Sequence, residues 1–164
     1  MAALNDKFLV FALGKEEYAI TIQSVKEIIG IMDITAIPKM PKFMKGVINL
    51  RGKIIPVIDL RLKFDLTELS YTERTCIIVV ELTLENGTNK MMGIVVDSVS
   101  EVLNIFPADI ENPPTLEDST DLSFITGIGK VKGKVAIILD ITKVLNISEI
   151  NKISSLKLGG NENA

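Results

Sequence analysis

Short apolar runs alternate with turn residues along almost the whole chain. The runs are rich in valine and isoleucine, and glycine, proline or asparagine lies between them. Runs of β-branched residues that are bounded by turn residues are typical of strands. The pattern predicts ten strands, near Phe8–Leu13, Glu17–Thr21, Val25–Ile29, Gly46–Leu50, Ile54–Ile58, Thr75–Thr83, Met91–Asp97, Glu101–Ile105, Gly127–Val131 and Val135–Leu139.

Turns and a few helices complete this pattern. Tight turns are predicted where glycine separates two apolar runs, at Arg51–Lys53, Glu85–Thr88 and Lys132–Lys134. Short helices are predicted to begin at Asp59 and Asp140, because aspartate is a favoured N-cap residue. After Asn146, apolar residues at a spacing of three predict a C-terminal helix whose apolar face consists of Ile147, Ile150, Ile153 and Leu156.

The chain also resembles itself. Residues 43–60 align without a gap with residues 124–141, and five pairs are identical: Phe43/Phe124, Gly46/Gly127, Gly52/Gly133, Lys53/Lys134 and Asp59/Asp140. Upstream, residues 20–28 align with residues 94–102, with matches that include Val25/Val99 and Glu27/Glu101. Two matching segments in the same order indicate an internal duplication.

The duplication predicts an all-β architecture of two similar units. Each half holds about five short strands, and closure into a small barrel would remove the open edges of such a sheet. We therefore predict two five-stranded barrels, at about residues 15–66 and 75–145. The N-terminal and C-terminal segments are expected to cross between them.

Composition narrows the possible functions. Aromatic residues make up 5% of the chain, tryptophan is absent, and the net charge is −3. An oligonucleotide-binding barrel, the alternative class of binding protein, needs a basic groove with stacking aromatic side chains. The pattern shows no basic groove of this kind, which argues against nucleic acid as a partner.

The residues that usually carry chemistry are nearly absent. The chain has no histidine and a single cysteine, Cys76, so the common general base, the usual catalytic triads and zinc sites are missing. Residues 46–53 and 127–134 lack the glycine spacing and the hydroxyl residue of a phosphate-binding loop. The acidic residues at 117, 118 and 121 lack the pattern of a calcium loop. We expect no enzyme activity, no cofactor and no metal.

Targeting signals are also missing from the pattern. The apolar stretch Phe8–Leu13 lacks a basic lead-in and a cleavage site, so it is interpreted as a first strand. No apolar run approaches the roughly 20 residues of a membrane helix. We therefore expect a cytoplasmic protein that does not insert into the membrane.

Glu27 and Arg51 are two charges whose roles the pattern leaves open. By alternation, Glu27 shares a strand face with Val25 and Ile29, and Arg51 follows the strand that ends at Leu50. One interpretation is two solvated charges at strand ends. The other is a partly buried ion pair that defines a surface near the first barrel.

The motifs of this chain resemble the CheW family of bacterial chemotaxis coupling proteins. The most specific block is Gly46-Val-Ile-Asn-Leu-Arg-Gly-Lys-Ile-Ile-Pro-Val-Ile-Asp-Leu-Arg61. Further similar blocks lie at residues 8–20, 25–28, 93–102 and 122–128, so the resemblance covers about residues 8–145. It implies that residues 1–164 form a single CheW-like domain with two SH3-like barrels.

The resemblance also implies partners and contact residues. Family members couple the cytoplasmic tips of methyl-accepting chemoreceptors to the regulatory domain of the histidine kinase CheA, in membrane-associated arrays. The positions implied for receptor coupling, around a groove between the barrels, are Val25, Glu27, Gly46, Arg51, Gly93, Val99 and Val102. An ion pair between Glu27 and Arg51 is a family feature. For the kinase side we expect the first barrel, around Pro41, Phe43 and Gly52.

Overall fold

The computed structural model describes residues 7–83, 87–113, 122–145 and Glu149. In this part of the chain it has eleven strands and one short α-helix: β1 (Lys7–Leu13), β2 (Glu16–Thr21), β3 (Val25–Gly30), β4 (Met44–Leu50), β5 (Lys53–Asp59), α1 (Leu60–Lys63), β6 (Cys76–Thr83), β7 (Asn89–Val96), β8 (Ser98–Asn104), β9 (Ile110–Glu111), β10 (Ile125–Val131) and β11 (Lys134–Leu139). Short 3-10 turns span Ile22–Ser24, Pro107–Asp109 and Ile141–Lys143.

The predicted elements that lie within the described residues are confirmed apart from small differences, and Glu85 and Asn86 of the turn predicted at Glu85–Thr88 lie outside those residues. All ten predicted strands are present, and only the two-residue β9 was missed. Asp59 caps α1 by accepting a hydrogen bond from the Arg61 N–H, and Asp140 accepts from the Thr142 N–H in the same way. The helix predicted at 147–156 lies outside the described residues except for Glu149.

The strands form two sheets. The first, which we call barrel one, has the order β3-β6-β7-β5-β4, and the second, barrel two, has the order β8-β1-β2-β11-β10-β9. Neighbouring strands are antiparallel except β5 with β7 and β2 with β11, which are parallel. The predicted all-β fold of two small barrels is confirmed, with β9 as an addition to barrel two.

The chain divides between the barrels at points other than those predicted. Barrel one takes β6 and β7, which lie inside the range 75–145 that was assigned to the second barrel. Barrel two takes β1 and β2 from the start of the chain. Each repeat therefore contributes strands to both barrels. The alignment of the repeats could not show that strands are exchanged between the barrels. Related strands have equivalent edges, so each could pair within its own repeat or with the other one.

Three hydrophobic clusters hold the barrels together. One fills barrel one, around Ile55, Val57 and Ile77, and another fills barrel two, around Val10 and Ile138. The third, the central cluster, contains side chains from both sheets. Its buried members include Leu9, Phe11, Leu13, Ile20, Ile58, Ile78, Val80, Met92, Ile94, Leu139 and Ile141.

The central cluster exists because β1 and β6 bury both of their faces. In β1, Phe8 and Val10 face the interior of barrel two, while Leu9 and Phe11 face the central cluster. Strands with two buried faces have continuous apolar sequences rather than alternating ones. This continuous burial joins the two barrels through their apolar faces.

Candidate binding surface

The seven residues implied for receptor coupling lie on strands of both barrels. The structure places Val25 and Glu27 on β3, Gly46 on β4, Arg51 in the β4–β5 turn, Gly93 on β7, and Val99 and Val102 on β8. Both β3 and β8 are the first strands in the order of their sheets, so they occupy sheet ends. The seven residues therefore include members of an end strand from each barrel.

Three valines of this set differ in exposure. Val25 and Val99 are half-buried and pack against the central cluster, at the junction of the barrels. Val102 is 50% exposed and lies farther along β8. An exposed valine on an end strand is available to an apolar partner, whereas Val25 and Val99 form the margin of the junction.

Glu27 and Arg51 form an ion pair. The Arg51 Nη2 donates a hydrogen bond to Glu27 Oε1. Since β3 and β4 are opposite ends of the same sheet, this contact spans the seam where barrel one closes. The side chain of Arg51 is 67% exposed and that of Glu27 is 32% exposed. The two open interpretations are thereby resolved: the charges are paired, but the cation remains largely in solvent.

The turn that carries Arg51 is held by a local hydrogen bond. Arg51 and Gly52 have φ angles of 52° and 88°, which place them in the left-handed region used by tight hairpin turns. The Gly52 N–H donates to Asn49 Oδ1 at 2.9 Å. The Arg51 side chain therefore projects from the tip of a well-defined turn.

We expect Arg51→Ala to change the free energy of unfolding by less than about 1 kcal/mol. An exposed ion pair contributes little, because solvent screens the charges and two long side chains lose entropy. Urea unfolding of the wild type and the variant measures this difference. A loss of several kcal/mol would contradict the exposed geometry. Lys130→Ala, which removes another exposed pair with Glu111, is the matched control.

Gly46 and Gly93 cannot present side chains to a partner. Both are buried, and a Cβ on Gly93 would lie 2.8 Å from Ile77 Cγ2. A Cβ on Gly46 would lie 2.0 Å from the Thr35 carbonyl oxygen. Because they have no Cβ, these two glycines allow neighbouring backbone and strands to pack closely. Any effect on a partner would pass through the shape of barrel one.

The three residues expected on the kinase side also differ in their exposure to solvent. Gly52 is exposed and Pro41 is half-buried, but Phe43 is only 9% exposed. The Lys63 ammonium lies over the Phe43 ring, 4.8 Å from its centroid, and also contacts Glu149 Oε1 at 2.8 Å. Phe43 therefore supports the surface from below instead of contacting a partner.

Sequence reasoning missed Ile28 on β3. This side chain is 41% exposed, and the repeat aligns it with Val102. Residues Lys26, Ile28 and Gly30 face outward on β3, as Ser100, Val102 and Asn104 do on β8. The signal was present in the alignment of the two halves, because an exposed apolar residue on one repeat identifies its counterpart on the other.

A second missed feature is an ionic joint between the barrels. The Asp97 carboxylate accepts two hydrogen bonds from Arg61, each 2.7 Å long, and a third of 2.7 Å from the Gly14 N–H. Arg61 lies in α1 of barrel one and Gly14 lies in the β1–β2 turn of barrel two. Asp97 connects β7 to β8, where the chain passes from one barrel to the other.

The electrostatics of this joint favour a charged carboxylate. Partial burial by itself would raise the pKa of Asp97, but the hydrogen bonds from Arg61 and the Gly14 N–H outweigh it and hold the pKa below its ordinary value. The Arg61 side chain is only 12% exposed. A bidentate pair of this kind fixes orientation as well as charge.

A buried carboxylate supports the joint from beneath. Asp59 is 2% exposed and accepts hydrogen bonds from the Arg61 N–H and, at 2.9 Å, from the Tyr71 hydroxyl. Burial, followed by the hydrogen bond to Asp59, raises the pKa of Tyr71, which therefore remains a donor at neutral pH. The loop that leads to β6 is thus tied to α1. A cleft of about 480 Å³ opens beside these residues.

Metal-binding clusters and membrane-spanning helices are absent from the described residues. No group of three cysteine, aspartate or glutamate side chains there is arranged to hold a metal ion. Among the helices of the same residues, none has the length and hydropathy needed to cross a membrane.

The fold and the surface define a class of protein: paired β-barrels, built from a duplicated chain, that expose apolar and charged side chains on end strands. A model of the CheW-like domain matches residues 7–149. The chain therefore belongs to the CheW family.

Individual relatives agree with this assignment. The chain is 39% identical to the chemotaxis protein CheW of Klebsiella aerogenes, over 93% of this chain and 89% of that protein. It is 34% identical to the chemotaxis protein CheW of Bacillus subtilis, over 87% and 88%. The crystal structure of the scaffolding protein TtCheW from Thermoanaerobacter tengcongensis superposes with a TM-score of 0.77 at 36% identity, covering 94% of this chain and 99% of that one.

Proposed function

We propose that this protein is a chemotaxis scaffold that couples the cytoplasmic tips of chemoreceptors to the histidine kinase CheA. The observation that carries the proposal is the match of a CheW-like domain to residues 7–149. Relatives that cover most of the chain are chemotaxis proteins CheW, and the similar crystal structure is that of a scaffolding protein.

The receptor side of the proposal uses the junction of the barrels. A receptor tip is a helical hairpin, which presents apolar residues at helical spacing. Val25 and Val99 provide the apolar margin of the junction, and Val102 provides an exposed contact beside it. Arg51, paired with Glu27, offers a cation to acidic side chains of the hairpin.

The kinase side of the proposal uses barrel one around Pro41 and the Gly52 end of the β4–β5 turn. Pro41 and Gly52 are accessible there, and Phe43 with Lys63 supports them. The regulatory domain of CheA has the same kind of barrel, and the proposed contact is made between barrels. Gly52 follows Arg51 in the β4–β5 turn, so the proposed kinase contact adjoins the proposed receptor contact at this turn and extends from it toward Pro41.

The proposed mechanism needs no covalent step. A bridging molecule raises the effective concentration of the kinase near the receptors, and multivalent contacts strengthen the assembly without new chemistry. A chain without histidine, and with a single cysteine, is consistent with a function of this kind. The protein would act in the cytoplasm, where receptor arrays at the membrane recruit it.

A recruitment assay with one pair of variants tests this function. Receptor cytoplasmic fragments are attached to lipid vesicles, and sedimentation of CheA is measured with and without the protein. We expect Val102→Asp to reduce recruitment of the protein and of the kinase, because it places a charge in the apolar contact. Val135→Asp on β11 is the matched control, since Val135 is 53% exposed and lies outside both proposed surfaces.

The kinase should sediment with the vesicles when the wild-type protein or Val135→Asp is present, and should not when the protein is omitted. Kinase sedimentation that does not depend on the protein would contradict the bridging function. Equal losses from Val102→Asp and Val135→Asp would contradict the location of the receptor surface.

A further inference from the structure

The two barrels are equivalent strand by strand. The order β3-β6-β7-β5-β4 of barrel one corresponds to β8-β1-β2-β11-β10 of barrel two, and in each the parallel pair lies at the same place. The Thr35–Val47 bridge in barrel one corresponds to the pairing of β9 with β10. The five strands of barrel one thus each have a structural counterpart in barrel two.

The equivalence extends to irregularities of the end strands. Lys26 is skipped in the pairing of β3 with β6, and Ser100 is skipped in the pairing of β8 with β1. The repeat aligns these two residues. A bulge redirects the side chains that follow it, so Glu27 and Glu101 leave their strands in corresponding directions.

The ion pair that closes barrel one also has a counterpart. Lys132 Nζ contacts Glu101 Oε1 at 2.9 Å and Oε2 at 3.1 Å. Lys132 aligns with Arg51, and its φ of 51° matches the 52° of Arg51. Its side chain is 69% exposed, against 67% for Arg51. Each barrel thus presents an exposed cation, held by a glutamate of the end strand.

The apolar residues beside these pairs correspond as well. Ile28 follows Glu27 on β3 and is 41% exposed, and Val102 follows Glu101 on β8 and is 50% exposed. The end strand of each barrel therefore combines one exposed apolar side chain with one exposed ion pair, beyond the half-buried valine at the junction.

The duplication does not repeat every ion pair. Thr142 stands at the position of Arg61 in the second repeat, and Gln23 stands at the position of Asp97 in the first, so the ionic joint has no duplicate. The closing pairs, in contrast, occur in both barrels although exposed pairs add little stability. Binding accounts for their presence in both barrels better than stability does.

We propose that Glu101 and Lys132 form a second coupling pair, by which barrel two contacts the same receptor hairpin that barrel one contacts through Glu27 and Arg51. This inference rests on the proposed function. The two helices of a hairpin are antiparallel and offer similar faces to two related walls. Because two thirds of each cation is exposed, each can donate to a carboxylate on one of the helices.

Titrating the purified protein with a receptor hairpin fragment tests the pair. We expect Lys132→Glu to weaken binding about tenfold, the scale of a lost charge-assisted contact. Arg51→Glu should produce a similar loss, and the double variant should lose about the product of the two. Lys134→Glu, an exposed lysine two residues farther along the same hairpin, should bind like the wild type.

The outcomes separate this inference from the proposed function. If Arg51→Glu weakens binding and Lys132→Glu matches Lys134→Glu, the second pair is overturned and the receptor function stands. An equal loss from Lys132→Glu and Lys134→Glu would indicate a general charge effect and also overturn it. If the wild type does not bind the hairpin, both proposals fail.

Discussion

Gly46→Ala is expected to lower the free energy of unfolding by about 3 kcal/mol or more. The φ angle of Gly46 is 144°, a conformation that costs a residue with a Cβ about 1–3 kcal/mol. The added Cβ would lie 2.0 Å from the Thr35 carbonyl oxygen. That carbonyl accepts a hydrogen bond of 2.9 Å from the Val47 N–H, so relief of the overlap would break the pairing beside β4.

Gly30→Ala is the matched control for this prediction. Gly30 lies on β3 with open space at the position of a Cβ, so the same chemical change should alter stability by less than about 1 kcal/mol. Urea unfolding followed by circular dichroism measures both variants. Equal midpoints for the two variants would contradict the assigned backbone conformation of Gly46. If Gly46→Ala is destabilised as expected, a receptor-binding defect in this variant would indicate a distorted barrel one and not a lost contact.

Asp97→Ala should destabilise the protein by about 2–3 kcal/mol. The variant leaves the Arg61 guanidinium, only 12% exposed, without its carboxylate, and removes the acceptor of the Gly14 N–H. A charged group that loses its partner in such a site retains the cost of its desolvation. Glu111→Ala is the control, because its pair with Lys130 is 61–64% exposed and its removal should leave the unfolding midpoint close to that of the wild type.

The ionic joint should also make stability depend on pH. The pKa of Asp97 in the folded protein lies below its unfolded value of about 3.8. The carboxylate therefore stabilises the fold fully above that unfolded value, and the contribution is lost as the pH falls through the lower, folded pKa. Unfolding midpoints measured from pH 7 to pH 2.5 should fall less steeply for Asp97→Ala than for the wild type. Parallel curves would contradict the joint.

Local features of this chain were predictable from its sequence. The turn at Arg51-Gly52, the caps at Asp59 and Asp140 and the ten main strands depend on residues close in sequence, so short-range patterns identify them. The duplication was predictable because two long segments align in order. From that alignment, the closing pair Glu101–Lys132 could have been anticipated once Glu27 and Arg51 were paired.

Several contacts could not be predicted, because they join distant residues. Asp97 and Arg61 are 36 positions apart and Asp97 and Gly14 are 83 apart, and nothing local marks them as partners. The burial of Phe43 and Gly46 depends on which segments cover them. The positions predicted for binding therefore include exposed residues such as Val102 and also buried residues, such as Phe43 and Gly46, that only shape the surface.

The sequence by itself determined the strands, their turns, the duplication and the family resemblance, since all of these depend on the order of residues along the chain. Only the tertiary structure decided how the repeats exchange strands, because β3 and β8 present equivalent edges to either barrel. It also decided that the Glu27–Arg51 pair is exposed, since solvent access depends on how barrel one closes. The ionic joint formed by Asp97 depends on the docking of the two barrels, which side-chain packing in the central cluster determines.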